Sequence, residues 1–131
     1  MIIELNIRLD THAGNNSIAE CTRRAIDALD LLHIAFGEVH GRRLDLQVEN
    51  EYIDRLDLHQ LLLVRIDNCK LPKDLARKTI FDLAELLEQD CIAVYYPSQQ
   101  RGELLGTRLG EYTDGFDINK FIDFQESVST N

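Results

Sequence analysis

Ile7-Arg8-Leu9-Asp10 recurs as Val64-Arg65-Ile66-Asp67, and the fold follows from reading that recurrence as a repeat. At the same offset Ile18-Ala19 meets Leu75-Ala76, Thr22 meets Thr79, Ile26 meets Leu83 and Leu29 meets Leu86. One inserted residue later, His33-Ile34-Ala35-Phe36 meets Cys91-Ile92-Ala93-Val94, and Arg43 and Leu46 meet Arg101 and Leu104. A single gap thus aligns residues 2–50 with residues 60–106. The matched positions are those that strands and helices would bury. Residues 107–131 stand outside the repeat as an extension, and the whole of 1–131 reads as one domain.

Working outward, Ile3, Leu5, Ile7 and Leu9 alternate with Glu4, Asn6 and Arg8, which predicts a half-buried strand over residues 2–9. Gly14-Asn15-Asn16 is a loop ahead of a helix that starts at Ser17 and runs to about residue 32. Its stripe is Ile18, Cys21, Ala25, Leu29 and Leu32. Residues 34–39 read as a second strand, Gly41 as a turn, and residues 43–51 as a third strand in which Leu44, Leu46 and Val48 face the core. Residues 52–59 are a connector or a strand extension. In the second half, residues 61–67 are a strand with a continuous apolar start, and Pro72 opens a helix that ends near residue 88. Residues 91–96 and 102–106 are strands around a turn at 97–100. Asp117 could cap a short helix presenting Ile118, Phe121 and Ile122, and residues 127–131 are polar and expected to be disordered.

Each half is therefore strand, helix, strand, strand. The expected fold is α+β: duplicated βαββ units in a ferredoxin-like two-layer sandwich, with both helices on one sheet face. The alternative is the paired βαβββ architecture of the glyoxalase and bleomycin-resistance superfamily. The chain resembles it in architecture and half-length alone, and none of its motifs falls on these residues.

The chain has 131 residues and is 44% hydrophobic, enough for one core without disulfide or metal staples. Cys21, Cys69 and Cys91 are an odd number at wide spacings and read as small buried hydrophobes in a reducing compartment. No apolar run spans a bilayer and no secretory signal opens the sequence, so the cytoplasm is expected. The net charge of −9 repels phosphate and argues against direct nucleic-acid or membrane partners.

Chemistry-bearing motifs are sparse. His33, Glu38 and His40 are weak metal-ligand candidates on or beside the expected strand 34–39, with His12 or His59 as a third ligand; no metal or other cofactor is expected. Cys91 occupies the repeat position of His33, yet it precedes Ile92-Ala93-Val94 and reads as core rather than as a nucleophile. Gly102, Gly106 and Gly110 follow a hairpin and are turn glycines, not a phosphate loop.

The acidic row is the most distinctive surface feature. Asp45, Gln47, Glu49 and Glu51 share one strand face by alternation, and Asp54 and Asp57 follow. Phe121 and Phe124, interleaved with Asp123, either cover the open sheet face or dock into a partner. The expectation is a non-enzymatic acidic interaction protein, a phage-type inhibitor or regulatory subunit. It would bind a basic protein surface through Asp45, Glu49, Glu51, Asp54, Phe121 and Phe124. The alternatives are a small-molecule-binding or metal-dependent enzyme with a pocket between the halves, and a structural homodimer.

Overall fold

The computed structural model describes residues 1–10, 17–50, 55–89, 91–106 and 121–124. The element order is β1 (Ile3–Arg8), α1 (Ile18–Phe36), β2 (His40–Asn50), β3 (Arg55–Ile66), α2 (Lys73–Leu86), β4 (Ile92–Tyr96) and β5 (Arg101–Leu105), with a 3-10 turn at Pro97–Gln99. The fold is α+β: the described residues form two helices, α1 and α2, and one five-stranded sheet in the order β2-β3-β1-β4-β5, every neighbouring pair antiparallel. The helices share a face. Cys21, Ala25, Ala28 and Leu32 of α1 and Ala76, Ile80, Leu83 and Ala84 of α2 join one core with Ile3, Leu5 and Ile7, with Leu62, Val64 and Ile66, and with Ile92 and Val94. Burying side chains of this size stabilises by roughly 1.5–3 kcal/mol each. Among the described residues no helix is long and apolar enough to cross a membrane.

The first half departs from the expected pattern. The strand expected at 34–39 is instead the last turn of α1 and its exit: Phe36 continues the buried stripe through Ala28 and Leu32, while Ile34 is 83% exposed. Gly37, at φ 82°, ends the helix, its N–H donating to the carbonyl of His33. At the other end Ser17 caps α1 by accepting from the Glu20 N–H at 3.1 Å, half of a capping box. One strand therefore follows α1, where two were expected, and the two follow α2.

The repeat alignment also shifts in the helices. The strand match sets Cys21 opposite Lys78, yet the buried stripe of α1 corresponds to Ala76, Ile80, Leu83 and Leu87, two residues earlier. Several matched helix positions are consequently not core: Ile18, Ile26, Leu75 and Leu86 are exposed. One shared detail survives at the expected positions. Thr22 and Thr79 each donate to the carbonyl four residues back, at 2.9 and 2.8 Å.

Gly41 is not a turn residue but lies inside β2, opposite Val64. A Cβ there would stand 2.6 Å from Leu29 Cδ2, so a larger residue at this position would require the Leu29 side chain to shift. Its neighbour on the same face, Arg43, pairs with Leu62, and both belong to the helix side. Alternation then turns Leu44 to the helix-free face and Asp45 to the helix side, the reverse of the expected orientation.

Candidate functional site

A buried polar cluster lies at the end of β1. Asp10 follows the strand and is 7% exposed. Its carboxylate accepts the Gln60 N–H from β3 at 3.1 Å and the Cys21 thiol from α1 at 3.6 Å, and it stands 3.7 Å from Arg8 Nε. Its backbone carbonyl accepts the side-chain amide of Gln89, which follows α2. Four segments distant in sequence thus meet on one residue.

Two more guanidinium groups close in from α1 and β2. Arg24 Nε donates to the Leu9 carbonyl at 2.9 Å, which fixes its plane. Arg43 donates to Thr22 Oγ1 at 2.6 Å and to the side-chain carbonyl of Gln60. In a chain of net charge −9, Arg8 approaches the Asp10 carboxylate, while Arg24 and Arg43 bind the groups beside it, the Leu9 carbonyl and the Thr22 and Gln60 side chains. Arg24 Nη2 and Arg8 Nε are buried and have no hydrogen-bond acceptor among the described residues. A buried donor left unsatisfied costs about 1–3 kcal/mol, more when charged. Burial, and after it the Asp10 carboxylate, pushes the Cys21 thiol up, so this sulfur is held as a protonated donor and not as a nucleophile.

Beside Arg24, between α1 and the end of α2, a cleft of about 540 Å³ opens. Its size suits a small-molecule ligand. Leu31, Leu86 and Leu87 supply an apolar wall, and Arg23, Arg24, Asp27, Asp30 and Glu88 supply charge, with Arg23 standing 3.8 Å from Asp27. Glu88 has φ 58°, in the left-handed region where a residue with a Cβ is strained. It sits just past the helix end in a Schellman turn: Gln89 N–H donates to the Ala84 carbonyl at 2.9 Å and Glu88 N–H to the Glu85 carbonyl at 3.1 Å. Glycine is the usual occupant of that position. A glutamate is held there at some cost to stability, on the rim of the cleft.

The site residues expected from sequence lie elsewhere and apart. Asp45 is exposed on β2 opposite Gln60. Glu49 belongs to β2 with its side chain outside the description, and Glu51 and Asp54 lie outside the described residues altogether. Phe121 and Phe124 sit over the helix-free sheet face, with the Phe121 ring 5.4 Å from that of Tyr95. Of the weak metal candidates, His33 is on the last turn of α1, its Nδ1 2.8 Å from the Gly37 carbonyl oxygen. Glu38 and His40 lie beyond the helix. His40 Nε2 is 3.8 Å from Glu38 but 3.0 Å from Asp67, which Arg65 also holds at 2.7 Å. Hydrogen bonding to Arg65 keeps the Asp67 carboxyl below its ordinary range. Among the described residues no group of three or more His, Cys, Asp or Glu side chains could hold a metal ion. Cys91 is half-buried, whereas Cys21 is the buried cysteine.

Sequence reading missed Asp10, Arg24, Arg43, Gln60 and Gln89 as a set. The only signal was Asp10 itself, an acid closing an apolar strand at the end of the repeated tetrapeptide.

No protein-family model matches the chain, and no curated protein matches it either. Two solved structures do. One is a phage SAM lyase in complex with S-methyl-5'-thioadenosine, 12% identical over 86% of this chain and 84% of that one, with a TM-score of 0.49. The other is a phage SAM lyase in the apo state, 13% identical over 93% of this chain and 91% of that one, at 0.48. Likeness at this level assigns no residue, ligand or reaction to the present chain. Both structures are nevertheless of an enzyme from phage, and the expectation of a non-enzymatic acidic interaction protein gives way to that finding.

Proposed function

We propose that the chain is a small-molecule-binding enzyme that takes a zwitterionic metabolite in the cleft between α1 and the end of α2. The observation that carries this reading is the ligand-sized cleft, whose lining sets two arginines, Arg23 and Arg24, among three carboxylates and three leucines. Arg24 suits a carboxylate, Asp30 and Glu88 suit a cationic centre, and the three leucines suit an apolar or planar body. We also read the fold as a duplicated ferredoxin-like sandwich extended by β5. In support, each helix joins two parallel strands that flank a third, β1 and β2 around β3, then β3 and β4 around β1.

S-adenosylmethionine, the compound named for the two similar structures, is the first to assay. It carries a carboxylate, two positive centres and a flat ring. Calorimetry should register binding, and chromatography should show the compound consumed, with Arg24→Gln weakening binding about tenfold or more. A wild-type protein that neither binds nor consumes it at millimolar concentration would overturn this substrate. Arg24→Gln binding as tightly as wild type would overturn the site.

A further inference from the structure

On the helix-free face the central strand carries Glu4 and Asn6, polar groups in the middle of a sheet, and Glu4 is only 4% exposed. What covers them is a segment more than a hundred residues away in sequence. The Asn6 amide donates to the Ile122 carbonyl at 3.0 Å and accepts the Ile122 N–H at 2.9 Å, as a neighbouring strand's backbone would. Glu4 Oε1 accepts the Phe124 N–H at 2.9 Å, and Phe121 leans on Tyr95. Residues 121–124 are therefore read by side chains of β1 through their backbone.

We propose that residues 121–124 form a strap whose docking takes up a proton at Glu4, so that it seats more firmly in acid than at neutral pH. Every layer around Glu4 contributes to the balance. Arg65 of β3 lies opposite it but is partly engaged by Asp67, Tyr95 of β4 lies on its other side, and Asp123 comes down with the strap. The Phe124 N–H and Arg65 favour the carboxylate; burial and Asp123 oppose it. Burial is the largest effect and holds the Glu4 carboxyl above its ordinary 4.5. A raised value in the docked state contributes stability that is complete below the ordinary value and lost as pH rises through the raised one. Docking thus weakens toward neutrality.

The test is amide hydrogen exchange of Ile122 and Phe124 in the full chain, followed from about pH 4 to pH 8 and normalised to intrinsic rates. Protection of both amides should fall several-fold as pH rises. Glu4→Gln keeps an acceptor for Phe124 without a titrating group and should give a flat profile. Asn6→Ala should lower Ile122 protection at every pH, which verifies that the probe reports strap docking. A flat wild-type profile, or an unchanged slope in Glu4→Gln, would overturn the proposal.

Discussion

Asp10 and Glu103 are both buried carboxylates in contact with a helix, and their surroundings differ in kind. Glu103 of β5 is 2% exposed and receives Arg77 Nε at 2.8 Å and the Tyr96 hydroxyl at 3.0 Å, while Lys73 Nζ stands 5.8 Å from the centre of the Tyr96 ring. Its hydrogen bond to Arg77 raises that guanidinium's affinity for its proton. Burial, and then Glu103, drives the Tyr96 phenol well above its usual value. Every member of that set lies on α2, β4 or β5, so it clamps one helix to one hairpin. Asp10 draws instead on four separate segments, through a thiol and a guanidinium at longer range, and nearby arginine nitrogens are left without acceptors among the described residues. A buried charge with short, well-directed partners is structural. A buried charge amid surplus donors beside a ligand-sized cleft is where binding is to be sought.

The comparison breaks most visibly at Glu103. Glu103→Ala leaves Arg77 and Tyr96 without their shared acceptor and should lower unfolding free energy by about 3–5 kcal/mol, measured by urea titration. A loss under about 1 kcal/mol would mean the clamp is not structural. Asp10→Asn keeps an acceptor for Gln60 but removes the charge that faces Arg8 at 3.7 Å, so a smaller loss of about 1–3 kcal/mol is expected, accompanied by altered ligand affinity. Glu88→Gly sharpens the contrast from the other direction. Relief of the left-handed strain should raise stability by about 1 kcal/mol while binding in the cleft weakens, so a gain in both would remove Glu88 from the site. The smallest effect belongs to Asp45→Asn, an exposed change that should stay within about 0.5 kcal/mol of wild type in thermal unfolding.

Legibility from sequence varied with how local the determining force was. The strands at 2–9, 61–67, 91–96 and 102–106 and the second helix were readable because alternation and a 3.6-residue stripe each report a single buried face. The first helix was cut short because Ile34 to Phe36 is equally apolar as strand or helix. Packing of Phe36 beneath the sheet, with Gly37 free to leave the helix, chose between them. The candidate site was invisible because Asp10, Arg24, Gln60 and Gln89 become neighbours only when the two helical crossovers bring their segments to one end of the sheet.

By itself, the sequence determined an α+β chain with two amphipathic helices and alternating strands, since those periodicities are properties of the backbone's own geometry. Tertiary structure alone decided which way β2 faces. Leu44 alternates with Asp45 as a core residue would, yet pairing of Gly41 with Val64 and of Arg43 with Leu62 on the helix side turns Asp45 toward the helices. The same kind of cause placed Glu4 and Asn6 under residues 121–124: polar side chains in a central strand are tolerated only where another segment satisfies them, and a distant segment does so. Periodicity specifies that a strand has two faces. Strand pairing and the contacts across each face determine what each of them meets.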